Sequence, residues 1–249
     1  DVSRRHALIH PQDDDQHWLV DLGSRNGTVL NGRRVIQPVC LQPGDVIRVG
    51  ARPFVFHCGS ERPPGTGPRA SLAAQATVTR QEQRLLLAAE IHGWTSLSQI
   101  HSPDELAGLV GDWLSRSGDL TRASGGAIHR YLRHGFLATW PAHATGTEDF
   151  LAARCQWLRL QTSQRLPFCF AVHSGILTVE ASPADGRERL QGTAVDFALR
   201  MGRLTARHAR DRLWSRDVVE HICSRIPWSR TLETEVPGFP GRHEFFVDS

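Results

Sequence analysis

The stretch from about Ser60 to Ala76 limits most what this chain can become. It reads Ser-Glu-Arg-Pro-Pro-Gly-Thr-Gly-Pro and continues in small polar residues and alanine. Adjacent prolines stiffen its start and little in it can join a core, so it reads as a linker. A chain divided there folds as two units. The expected bounds are 1–58 for the first, 59–81 for the linker and 82–249 for the second. At 249 residues the chain is long enough for two ordinary domains with real cores.

The two sides carry different patterns. Before the linker, short β runs dominate: Trp18-Leu19-Val20, Val46-Ile47-Arg48-Val49 and Phe54-Val55-Phe56, with turns at Asn31-Gly32 and Pro43-Gly44-Asp45. Asn-Gly is a good type I′ hairpin pair. After it, strands and helices alternate. Leu85 to Glu90 is an apolar strand, and Ser102-Pro103-Asp104-Glu105 is a capping box with proline at the first helical position. Leu106, Leu109, Val110, Trp113 and Leu114 follow at helical spacing. Gly125-Gly126 precedes a hairpin through Tyr131 to Trp140, helices are expected near 147–164 and 195–206, and Phe168, Phe170 and Val172 alternate as a strand. The expected fold is an all-β sandwich followed by an α+β, ferredoxin-like domain of order β-α-β-β-α-β.

Composition removes several function classes. The net charge of +3 is small and the basic residues, all 29 of them arginine, are scattered, so no nucleic-acid footprint stands out. No apolar run approaches the ~20 residues of a membrane span. The cysteines Cys40, Cys58, Cys155, Cys169 and Cys223 lie in no metal-like spacing and read as buried free thiols of a reducing cytosol.

Ser3-Arg4-Arg5-His6, the run from Ser24-Arg25-Asn26-Gly27-Thr28 to Asn31-Gly32, and Pro43-Gly44-Asp45-Val46-Ile47 stand in fixed order. Together they resemble the last two thirds of a forkhead-associated domain, a phosphothreonine reader. A phosphate with nearly two negative charges needs hydroxyl, amide and guanidinium donors on rigid loops. The resemblance implies that Ser3 and Arg4 contact the phosphate, that Ser24, Arg25 and Asn26 hold the peptide, and that His6 braces the loops. Arg5 reads as a solvated surface charge, and Ser24 can equally cap its turn. The family's Gly-Arg pair would lie before Asp1. The native protein is therefore expected to continue N-terminally, and the chain as given to bind phosphopeptide poorly.

The second unit resembles a class III adenylate/guanylate cyclase homology domain. The segments that carry this are Leu86 to Thr95, Gly125-Gly126 to Trp140, Phe170 to Gly175, Gly192 to Arg200, and Val236-Pro237-Gly238 to Phe246. Such domains cyclise a nucleoside triphosphate with two metal ions held by two carboxylates. The matching positions here are Glu90 and His134. Imidazole carries no anion and suits magnesium badly. The base-reading lysine becomes Arg130, the ribose-orienting asparagine becomes Asp196, and only the phosphate-stabilising Arg200 is kept. Losing one metal carboxylate costs on the order of a thousandfold in rate.

Two arrangements stay open: a re-tooled metal site of Glu90 and His134, with or without His129, or a Glu90–His134 hydrogen bond filling an inactive pocket, which is favoured. Asp196 and Arg200 are spaced for an i,i+4 ion pair. The expectation is a cytoplasmic signalling protein whose cyclase-like half dimerises or binds a partner or nucleotide without turnover. It needs no cofactor beyond a divalent metal accompanying any bound nucleotide. The alternatives are a cyclase with altered metal use and a nucleotide sensor.

Overall fold

The computed structural model describes residues 2–12, 16–58, 78–142, 150, 153–154, 156–161, 165–181, 187–222 and 227–248. The first unit is a small sandwich. Strands β1 (Ala7–Pro11), β2 (His17–Asp21) and β5 (Val39–Cys40) form one sheet. Strands β3 (Thr28–Leu30), β4 (Arg33–Arg34), β6 (Val46–Val49) and β7 (Arg52–Val55) form the other, in the order β4-β3-β6-β7. Leu19, Val35, Leu41 and Ile47 fill the space between them. Asn31 and Gly32 both take positive φ, 49° and 79°, as the predicted hairpin turn requires. The Asn31 side chain also donates to Asp45 at 2.7 Å and accepts from the Val46 N–H at 2.8 Å, so one hairpin tip anchors another turn.

The second unit is built on an eight-stranded sheet. Its path is β14-β15-β13-β11-β8-β10-β9, with β12 (Glu188–Gln191) added alongside β11. The long antiparallel pair β8 (Val78–Ile91) and β11 (Phe168–Ala181) forms its centre. Strands β9 (Ala127–Leu132) and β10 (Gly135–Pro141) make the expected hairpin. β13 (Arg212–Ser215), β14 (Trp228–Glu235) and β15 (Arg242–Asp248) extend the other side. The central order β11-β8-β10-β9 puts the first strand of the β-α-β-β-α-β set between its third and fourth, as a ferredoxin-like core requires.

Helices cover both faces of the sheet. Helix α1 (Trp94–Ile100), helix α2 (Pro103–Ala123) and the helical residues between 150 and 161 pack on the face that holds Leu85, Leu87 and Ala89. Helix α3 (Thr193–Arg207) packs on the face that holds Leu86 and Ala88. A short helix α4 (Arg216–Ile222) follows β13 and sends Val218 to the first face. The two-residue period of β8 thus divides its apolar run between two cores. The predicted capping box is present in full: Ser102 accepts from the Glu105 N–H, and Glu105 accepts from that of Ser102. Of the thiols expected to be buried, Cys169 is buried, Cys40 is half-buried and Cys58 is exposed. Cys155 and Cys223 lie outside the described residues.

The sandwich is seated on the outer edge of the second unit. β9 ends the large sheet, and a sheet edge leaves backbone groups without ladder partners. Here the His129 carbonyl accepts from His10 Nε2 at 3.1 Å, and the Tyr131 N–H donates to Gln12 Oε1. Along β2, Leu19 faces the sandwich core while Val20 is wholly buried in the core of the second unit. Trp18, Leu22 and Ile36 pack against that same core. Arg5, expected to be a solvated charge, instead pairs with Asp119 of α2 at 2.7 and 2.9 Å.

Candidate functional site

The first candidate site is built around Asp21, at the end of β2. This buried carboxylate accepts from the Gly23 and Ser24 N–H groups, both at 2.9 Å, and from the Ser24 hydroxyl at 2.6 Å. It also accepts from the Thr28 N–H at 3.0 Å and the Thr28 hydroxyl at 2.7 Å. A buried anion is tolerated only when surrounded by donors, and here they come from one loop, which is thereby fixed. Ser24 is therefore turned inward onto Asp21, where it closes the turn.

Across this loop, the Ser3 hydroxyl accepts from the Arg25 N–H at 3.1 Å, and the Ser3 N–H donates to His6 Nδ1 at 3.1 Å. His6 is buried, and its Nε2 lies 3.2 Å from the Gly27 carbonyl. With Nδ1 accepting, Nε2 must carry the proton and donate to Gly27. His6 braces both loops, as expected. Gly27 needs its lack of a side chain twice over. Its φ is +77°, and a Cβ there would sit 1.4 Å from Arg34 Nη1, which donates to the Asn26 carbonyl at 2.9 Å. Arg4, Arg25 and Asn26 remain exposed on the rim, so two guanidinium groups stand beside a fixed loop. Asp21 escaped the sequence reading. Its one local signal is an acidic residue closing a strand two positions before a glycine, the spacing of an Asx turn.

The second candidate site lies where β8 meets the β9–β10 turn. Glu90, at the end of β8, and His134, in the turn, line a cavity of about 200 Å³ with Arg133, Arg203 of α3 and Trp18 of the sandwich. Burial raises the Glu90 carboxyl above its usual range, against the opposing pull of Arg203. Burial also lowers His134, and the Arg133 charge adds to that. The expected Glu90–His134 hydrogen bond is not formed. The His134 ring lies instead on Trp94, with centroids 4.5 Å apart and planes 26° from parallel.

Asp196 and Arg200 line a separate cleft of about 320 Å³, with Arg203, Arg207 and Pro237. Their expected ion pair is replaced: Arg200 donates to the Pro237 carbonyl and lies 5.6 Å from the Phe239 ring centroid. Arg203 and Leu199, four residues apart on one face of α3, line both, so the two openings lie on either side of that stripe. Arg130 sits on β9 opposite Leu137, half-buried, and lines neither. His129 offers its carbonyl to His10. Among the described residues, no group of three His, Cys, Asp or Glu side chains is placed to hold a metal ion.

Comparison with known proteins decides the two folds. Residues 1–50 match the family model "FHA domain". The chain joins an FHA domain to a cyclase-type fold. The mouse protein "Angiogenic factor with G patch and FHA domains 1" is 34% identical over 94 residues, covering 34% of this chain and 13% of that protein. Its human counterpart is 38% identical over 76 residues, covering 27% and 11%. The chain thus spans only about an eighth of the length of these curated relatives.

For the cyclase-type domain the likeness is structural. The adenylyl cyclase CyaB from P. aeruginosa superposes with a TM-score of 0.54 at 18% identity, covering 69% of this chain and 96% of its own. A dimeric guanylyl cyclase domain from the aquatic fungus Blastocladiella emersonii gives 0.55 at 14% identity, covering 67% and 96%. Identities this low establish the fold alone. Among the described residues no helix is long and apolar enough to cross a membrane.

Proposed function

We propose that this chain is a cytoplasmic signalling module. Its FHA domain reads phosphothreonine on a partner protein, and its cyclase-type domain serves as a dimerisation or ligand-binding unit without nucleotide turnover. One observation carries the second half. Among the described residues, Glu90 is the single carboxylate lining its cavity, beside an imidazole stacked on Trp94. Magnesium demands oxygen ligands in near-octahedral order, and a carboxyl whose ionisation is opposed by burial is a weak anchor for it. The donor set does not fit a two-metal centre. The cavity is also smaller than the ~300–1,000 Å³ usual for ligand pockets. For the reading half, support comes from the rigid Asp21 loop and the exposed Arg4 and Arg25 beside it. The dimeric guanylyl cyclase domain of similar fold supports a homodimer.

The test is mass-spectrometric detection of cyclic AMP and cyclic GMP from purified protein given ATP or GTP with magnesium, manganese or zinc. The reading predicts no product. Product that disappears in Arg200→Ala would replace it with a re-tooled cyclase. A second reading, a nucleotide sensor without turnover, draws on Arg200, Arg203 and Arg207, which line one cleft at helical spacing and present three cations to it. Stabilisation against heat by ATP, GTP or a cyclic nucleotide would favour it, because a ligand of the folded state raises the melting temperature.

A further inference from the structure

The FHA domain does more than neighbour the cyclase-type domain. Trp18 of β2 is part of the wall of the Glu90–His134 cavity, which Arg203 and Gly202 of α3 also line. That wall residue is 72 positions from Glu90 in the chain and belongs to the other domain. It is held there by a definite set of contacts. Val20, two residues along the same strand face, is fully buried in the second domain's core. His10 and Gln12 bond the free edge of β9. Arg5 is paired to Asp119 and Arg34 lies 3.5 Å from Asp104, both on α2. At Gly23 and Gly111 the two backbones touch.

We propose that the FHA domain is a partial lid on the Glu90–His134 cavity, with Trp18 as one of its walls, so that separating the domains widens access to a half-buried His134. The geometry favours a lid over a passive neighbour. β2 is a paired strand whose residues move with the sandwich as one body, so the indole cannot stay in place if the sandwich lifts. Of the polar contacts across the seam, the Arg5–Asp119 ion pair has both partners exposed and Arg34 meets an exposed Asp104, pairs of the kind that exchange readily with water. One of the tethering residues, Arg5, also directly follows Arg4 on the phosphate-reading loop. The proposal concerns how the cavity is covered, and it stands whether or not the cyclase-type domain turns over nucleotide.

The experiment measures access to His134 in the whole chain. Diethyl pyrocarbonate acylates neutral imidazole, and peptide mapping by mass spectrometry gives a rate for each histidine. Exposed His208, at the end of α3, is the internal control. Three variants are compared with the parent protein. Trp18→Ala removes the wall, Asp119→Arg turns the Arg5 tether into a repulsion at an exposed site, and Gly111→Val wedges the backbones apart. The lid predicts that His134 labels several-fold faster in all three while His208 is unchanged. A His134 rate unchanged in Trp18→Ala and Asp119→Arg, with circular dichroism showing both folded, would overturn it. Asp119→Arg lies on the exposed face of α2, so the test does not depend on Gly111→Val folding.

Discussion

Gly23 of the Asp21 loop and Gly111 of helix α2 meet backbone to backbone. A Cβ on Gly111 would lie 2.1 Å from the Gly23 nitrogen and 2.5 Å from its Cα. Glycine inside a helix ordinarily weakens it. Here the missing side chain is what lets the FHA domain sit on the cyclase-type domain.

The first prediction follows from that contact and its neighbour on the same helix. Gly108 has nothing within 4 Å of where a Cβ would stand. Gly108→Ala should therefore stabilise the protein by about 0.5–1 kcal/mol, the ordinary helix gain. Gly111→Ala should destabilise it by about 1–3 kcal/mol through overpacking against backbone that cannot yield. Urea midpoints for the pair give opposite signs if the domains dock as described.

Asp21 should be the most sensitive polar position of the FHA domain. Asp21→Ala leaves buried donors of Ser24 and Thr28 without an acceptor, and hydrogen bonds to a charged group are the strong ones. A loss of about 3 kcal/mol is expected. Thermal unfolding of Asp21→Ala beside Arg25→Ala checks it, because Arg25 is exposed and its truncation should leave the melting temperature nearly unchanged.

His173 makes stability depend on pH. It is buried, accepts or donates at Ser215 Oγ 2.9 Å away, and is lowered to about 4, chiefly by burial, against the opposing charge of Asp217. A histidine depressed in the folded state favours the neutral ring. Its contribution is present above the unfolded value near 6.5 and is lost as pH falls from there toward 4. Between pH 7 and pH 5 the loss should be about 2 kcal/mol. Denaturation across that range should show the slope, and His173→Gln should flatten it.

The described thiols should divide by reactivity. Cys169 is buried with its thiol pushed up to about 12, first by burial and then by the Glu90 charge, so almost no thiolate forms at neutral pH. Cys58 is exposed. Iodoacetamide on the native protein, read by peptide mass, should modify Cys58 and leave Cys169 intact until denaturant is added. Equal rates at both would show that the β8–β11 centre opens readily.

The expected contacts between named residues fared unevenly, and the reason is their range. The capping box at Ser102, the Asn31-Gly32 hairpin and the β9–β10 hairpin came out as read, because each is fixed by neighbours a few positions apart. Local spacing failed for Asp196 and Arg200. An i,i+4 pair is worth a few tenths of a kcal/mol, and the Pro237 carbonyl and the Phe239 ring, from a distant part of the chain, offered the guanidinium a better seat. Glu90 and His134 line one cavity, but Trp94 holds the imidazole.

By itself the sequence determined the β and α+β classes, the turn and cap chemistry, and the identity of the residues at each matched motif. Those follow from periodicity and from the backbone needs of Gly, Pro and Asn, which act locally. The expected linker lies outside the described residues up to 77, and β8 already begins at Val78. Only the tertiary structure decided that Val20 belongs to the other domain's core, that Asp21 organises the loop that follows it, and that Arg5 pairs with Asp119. It also brought Trp18 to the wall beside Glu90. The side-chain alternation of a strand says which residues share a face, but what covers that face depends on residues a hundred positions away.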